Sequence, residues 1–171
     1  IFFLHDDLPI SVSYSGFLND DDTNTITVPA VSTTADATSG VGDYPIILTG
    51  GSADNYELTT VASTLTINKA TLTATADDQV KIYGSENPQL TVDYSGFLNG
   101  DDTNAITEPA VSTTADATSG VGDYPINLTG GSAENYELTT VASTLTINKA
   151  TLIATADDQV KIYGSENPQL T

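Results

Sequence analysis

The chain has 171 residues, with 23 acidic residues against 4 lysines, a net charge of -19, and no cysteine, methionine or tryptophan. So negative a chain argues against nucleic-acid binding, which needs Lys and Arg to neutralise phosphates, and against adsorption to anionic membranes for the same Coulombic reason. Zero cysteines removes disulfides and thiolate metal sites, and no run of about 18 apolar residues is present to insert into a membrane as a helix.

The first ten residues, IFFLHDDLPI, lack the basic start of a signal peptide, and Asp6 and Asp7 interrupt their apolar stretch. With no initiator Met, the chain reads as a fragment or a processed product. From residue 11 onward an internal repeat organises everything. Tyr14-Ser15-Gly16-Phe17-Leu18-Asn19 recurs at Tyr94 to Asn99, and Asn55-Tyr56-Glu57-Leu58 recurs at Asn135 to Leu138, each shifted by 80 residues. Such a unit is too long for a solenoid rung and suits a small autonomous domain. The expected domains are residues 1–69, a first repeat whose decamer 1–10 is atypical; 70–149, a complete second repeat; and 150–171, the start of a third.

Thr, Val, Ile and Tyr in short alternating runs predict strands, because branched and aromatic side chains pack well on a half-buried sheet. In the complete repeat these are 71–76, 79–83, 90–94, 111–115, 122–128 and 136–147, the last broken near Ala142. Alternation through Tyr124-Pro125-Ile126-Asn127-Leu128 places Tyr124, Ile126 and Leu128 on one face. The copies exchange Ile47 for Asn127 on the other face, and Thr73 for Ile153 likewise alternates with Leu72, Ala74 and Ala76. Between the third and fourth strands, Asn99 is expected to cap a short helix, with Asp101 and Asp102 in its first turn and Pro109 beyond its end. The fold class is therefore mainly β. Tandem small β-grasp-like domains follow from the helix, and immunoglobulin-like sandwich repeats from an all-strand reading.

Lys81-Ile82-Tyr83-Gly84, Asn87-Pro88, Tyr94-Ser95-Gly96-Phe97, Gly122-Asp123-Tyr124, Asn135-Tyr136 and Leu145-Thr146-Ile147 occur in that order. This ordered set resembles the MBG domain of the YGX type, and the resemblance covers residues 11–171. It implies a β-grasp-like fold, tandem arrays, and the context of large bacterial surface proteins and adhesins. It carries no catalytic residues to transfer.

Some residue clusters offer chemistry. Asp21 and Asp22, with Asp101 and Asp102 in the next copy, are candidate oxygen ligands for calcium, which takes six to eight oxygens. Against this, Asp20 is replaced by Gly100 and the spacing is not that of a calcium loop; a capped helix start is the plainer reading of the run. Asp77 and Asp78 lie near the boundary between beads, where a cation would stiffen the array and where a turn is the plainer reading. No other cofactor is implied. The single histidine, His5, lies in the unmatched decamer, so a repeated Ser–His–Asp site is impossible and no enzyme is expected. Lys81 and Lys161 invite comparison with isopeptide-forming lysines, but a strand lysine with its head in water is the commoner case. Tyr83, Tyr94, Tyr124 and Tyr136 suggest a sugar-stacking platform or, more plainly, core residues whose hydroxyls reach the rim.

The expected function is a structural stalk or filament repeat of a secreted bacterial adhesin, acting as an extended spacer at the cell surface. The alternative is a multivalent adhesion module for glycans or proteins, stiffened by calcium. Its partners are neighbouring repeats or other copies in a filament, with surface glycans or proteins under the alternative, and neither nucleic acid nor an inserted membrane. One further expectation concerns assembly. The first repeat lacks a segment equivalent to 70–80, and the tail 150–160 carries one, so the tail of one chain would complete the first repeat of the next by adding a strand.

Overall fold

The computed structural model of the chain describes residues 10–169. The atypical decamer therefore lies outside the described residues except for Ile10, and His5 with it. The first repeat carries β1 (Ile26–Thr27), β2 (Ala30–Thr33), β3 (Gly42–Thr49), β4 (Ser52–Ala53) and β5 (Ser63–Ile67). The second carries β6 (Ala70–Ala76), β7 (Gln79–Ile82), β8 (Val92–Ser95), β9 (Ile106–Thr107), β10 (Ala110–Thr113), β11 (Gly122–Thr129), β12 (Ser132–Ala133), β13 (Tyr136–Val141) and β14 (Ser143–Asn148). Among the described residues there is no α-helix, and the chain is mainly β.

These residues divide into two compact units. One gathers the described residues up to Ala74, together with Tyr94–Ala110 and Thr129–Thr140. It contains the antiparallel sheet ordered β2-β3-β5 and two short ladders, β1 with β4 and β9 with β12. Pro45 interrupts β3 at little cost. β2 reaches only as far as the pair Thr33↔Ile46, so Pro45 faces Thr64 of β5 and has no β2 residue opposite it. A residue without an N–H is tolerated where a ladder ends.

The other unit gathers Thr75–Asp93, Val111–Leu128 and the described residues from Val141 onward. Its sheet is ordered β10-β11-β14-β7. β14 pairs antiparallel with β11, Tyr124 opposite Leu145, and parallel with β7, Leu145 opposite Gln79. Ile126, Leu145 and Ile147 are almost fully buried, Leu128 and Ala115 nearly so, and Asn127 is exposed, as the alternation predicts. In the remaining sheet β6 lies between β13 and β8, with Leu72 and Ala74 fully buried.

The expected helix after Asn99 does not form. Asn99 and Gly100 both have positive φ, 55° and 81°, and the Asp101 N–H donates to the Leu98 carbonyl at 2.9 Å. That is a tight turn of the I′ kind, for which Asn-Gly is the favoured pair. The helical remainder is one 3-10 turn, Thr103–Ala105, capped by Asp102 rather than Asn99. The Asp20/Gly100 exchange now has a reason. Both stand at the third position of this turn, left-handed with φ 63° and 81°, where glycine and aspartate are each accepted.

Candidate functional site

Each of the six candidate calcium-binding aspartates accepts a hydrogen bond within the fold. Asp102 Oδ1 accepts the Asn104 N–H at 2.8 Å, and Asp22 does the same for Asn24 in the first copy at 2.8 Å. Asp101 accepts the Tyr136 hydroxyl at 2.6 Å, and Asp21 accepts that of Tyr56. This bond to the carboxylate is the main cause that holds both tyrosine hydroxyls above their ordinary pKa. Tyr94 is also raised, first by burial and then by its bond to Glu108. Asp77 accepts the Thr91 hydroxyl, and Asp78 accepts the Thr144 N–H at 2.8 Å. Among the described residues no three carboxylates or imidazoles come together as a metal-holding group.

The tyrosines anchor loops. Phe97 stacks edge-on against Tyr136 at 5.8 Å and lies tilted to Tyr94 at 5.9 Å, and Phe17 repeats both contacts with Tyr56 and Tyr14. The Tyr136 hydroxyl also accepts the Leu98 N–H at 3.0 Å. These rings fasten the Asn-Gly turn to the end of β13. Tyr83 alone of the four singled-out rings is half exposed, at 50%.

Lys81 corrects the reading of a lysine with its head in water. It is the only buried charged residue found among the described residues, 6% exposed, and its ammonium donates to the carbonyls of Ser85, at 3.0 Å, and Asp116. Asn87 donates to the Ala115 carbonyl beside it. The pair closes the loop after β7 onto the turn at 116–119. An isopeptide bond would need a carboxylic acid there, but the Asp116 carboxylate is turned to Thr118 and Ser119, whose donors hold its pKa below the ordinary value. Lys161, in contrast, is exposed and donates to Asn167 Oδ1 at 2.8 Å.

Two features escaped the sequence reading in detail. The first is a junction between successive repeats, inside the unit that holds residues 70–74 and 129–140. Asn135 Oδ1 accepts the Val41 N–H at 3.0 Å, the Asn135 carbonyl accepts the Ala70 N–H at 3.0 Å, and Lys69 donates to the Ala133 carbonyl at 2.8 Å. Asn135 is exposed and recurs as Asn55, but the copies are identical at most positions, so its recurrence does not single it out. The second is a cleft of about 480 Å³ in the first repeat, walled by residues 12–17 and 56–61.

The family model of the MBG domain (YGX type) matches residues 3–66 and again 72–146. The chain belongs to this family. Neither the curated proteins nor the solved structures give a match to it. MBG domains are repeat domains typical of cell-surface proteins. The tyrosine and glycine that give the type its name have a clear structural place in this MBG chain. Tyr83-Gly84 forms the turn that closes β7, where the Ser85 N–H reaches the Ile82 carbonyl at 3.0 Å. Gly84 takes φ 86° at its third position, a conformation in which a side chain would be strained. No helix among the described residues is long and apolar enough to cross a membrane.

Proposed function

We propose that this MBG chain is a stalk or filament segment of a secreted bacterial surface adhesin, whose tandem domains act as an extended spacer at the cell surface. The junction carries this reading. Val41, Lys69 and Ala70 on one side recur as Val121, Lys149 and Ala150, and Ala133 and Asn135 on the other as Ala53 and Asn55, so each repeat carries residues of both halves of the junction. A boundary fastened in this way limits free hinging, which is what a spacer requires. Negative charge on every bead adds mutual repulsion, which favours an extended and soluble chain. In this reading the role of the repeats is mechanical.

Small-angle scattering on arrays of two, three and four repeats tests the proposal. The maximum dimension is expected to rise by about 30–40 Å per added repeat, from the size scaling of compact domains. A dimension that stays nearly constant as repeats are added refutes the spacer. Binding of a single repeat on a glycan array would instead support the adhesive alternative.

A further inference from the structure

We infer that Asn99-Gly100 is a site of spontaneous self-modification, at which the Gly100 nitrogen attacks the Asn99 side chain and leaves an additional carboxylate at the boundary between repeats. Asn99 is the only asparagine of the chain followed by glycine. Both residues are exposed, and they form the middle of the turn whose hydrogen bond runs around them, from the Asp101 N–H to the Leu98 carbonyl. Among the described residues nothing accepts the Gly100 N–H and nothing holds the Asn99 amide, so both reacting groups are free. A Cβ built on Gly100 would meet nothing within 4 Å, so no neighbour crowds the approach. Ring closure needs rotation of Asn99 out of the left-handed region, and Leu98, Asn99 and Gly100, which move with it, are all exposed.

The step is a cyclisation. The Gly100 nitrogen forms a bond to Asn99 Cγ, the Cγ–Nδ2 bond breaks, and the Gly100 proton leaves with Nδ2 as ammonia. One water then opens the five-membered imide. Cleavage of its Cγ–N bond gives aspartate in the original backbone, and cleavage on the main-chain carbonyl side gives isoaspartate, whose backbone runs through Cβ. The net change replaces an NH2 by an OH, a gain of about 1 Da and of one negative charge. The preceding copy is the internal comparison. There Asn19 takes φ 55° as Asn99 does, but the next residue is Asp20, whose Cβ and carboxylate stand beside the attacking nitrogen.

The product matters because of where Asn99 stands. It lines a cleft of about 270 Å³ together with Asp36, Val41, Asp101 and Asn135, at the boundary between the repeats and inside one compact unit. Conversion sets a third carboxylate in the cleft that Asp36 and Asp101 already line, and like charges around a shared cleft repel. Isoaspartate also adds a main-chain atom to the turn that presents Asp101 to the Tyr136 hydroxyl. Both changes loosen the boundary at which Asn135 holds the Val41 amide. A repeat with glycine after this asparagine ages, and one with aspartate is spared, so the Asp20/Gly100 exchange sorts the copies by lifetime.

Peptide mapping of the 171-residue chain, aged in mildly alkaline buffer, tests this. The peptide holding residue 99 should gain about 1 Da and be labelled by an isoaspartate-specific methyltransferase. Asn19, Asn24 and Asn104 should convert at least about tenfold more slowly, because each is followed by a residue with a side chain. Asp20→Gly should create a second reactive site in the first repeat, and Gly100→Asp should silence the one in the second; the turn carries aspartate in one copy and glycine in the other, so both variants fold. In hydrogen exchange the Val41 amide of aged wild type should open at least about twofold faster than that of fresh protein, and that of aged Gly100→Asp no faster. A residue 99 that stays unconverted while a synthetic peptide of residues 94–104 converts overturns the inference. So does conversion of Asn19 or Asn104 as fast as that of Asn99, or a Val41 amide indifferent to the conversion.

Discussion

The hydroxyl of Tyr136 donates to the Asp101 carboxylate at 2.6 Å, and Tyr56 makes the same bond to Asp21 in the preceding copy. One hydroxyl thus serves an acceptor and a donor at once, since it also takes the Leu98 N–H at 3.0 Å. Tyr136→Phe keeps the ring stack on Phe97 and removes both bonds. It should destabilise the second repeat by about 1–2 kcal/mol, the usual net cost of a lost hydrogen bond plus an N–H left without its partner. Urea unfolding of wild type and variant measures this, with an unchanged slope expected.

Lys81→Met should cost about 1–3 kcal/mol, because the carbonyls of Ser85 and Asp116 lose a charged donor while the aliphatic stem is kept. Lys161→Met should leave stability unchanged, since that side chain is exposed. Thermal melts of the two variants side by side separate a buried cation from a surface one.

Asn135→Ala should loosen the junction without unfolding either repeat. Only the Val41 N–H loses its acceptor, and its hydrogen exchange should quicken by roughly tenfold or more. Gly40→Ala offers an independent probe, because its new Cβ would sit 3.1 Å from Asn135 Oδ1. Gly120→Ala, the same change one repeat later, meets nothing within 4 Å and should leave the Val41 amide untouched.

Acid and alkali should act through different residues. Asp36 and Asp116 have lowered pKa values, chiefly from the hydroxyls of Thr38 and Thr118. Their stabilising contribution is therefore full above the ordinary aspartate value near about 3.9 and is lost as pH falls through the lower folded value. The raised pKa values of Tyr56 and Tyr136 act in the opposite sense: their contribution is full below about 10 and is lost as pH rises through the higher folded value. The difference in melting temperature between wild type and Asp116→Asn should shrink as pH drops below about 4, and remain constant from about pH 5 to 8.

Calcium should not shift the melting temperature, and chelator should not lower it. Asp21, Asp77, Asp78 and Asp101 already accept hydrogen bonds from partners distant in sequence, and Asp22 and Asp102 cap their own turns. Calorimetric titration with calcium is the direct check.

Local alternation carried much of the fold. β6 and β11 lie within a residue of the expected 71–76 and 122–128, and β13 and β14 part at Ala142 as expected. The turn at Asn99-Gly100 was misread because Asn serves both as a helix cap and as a left-handed turn residue. Only the glycine after it favours the turn. The buried state of Lys81 was hidden because one of its two acceptors belongs to Asp116, 35 residues away. The junction was hidden for the same reason, since Asn135 meets a residue 94 positions earlier. Contacts of that range leave no local periodicity to read.

The Asn135 junction has a consequence for how the gene can change. Three of its partners are main-chain groups, of Val41, Ala70 and Ala133, which most substitutions leave in place. Recombination that removes or duplicates one 80-residue period would bring together the same groups at the new boundary. The length of such a tract can then drift between descendants without any compensating mutation, while the faces of the individual beads diverge.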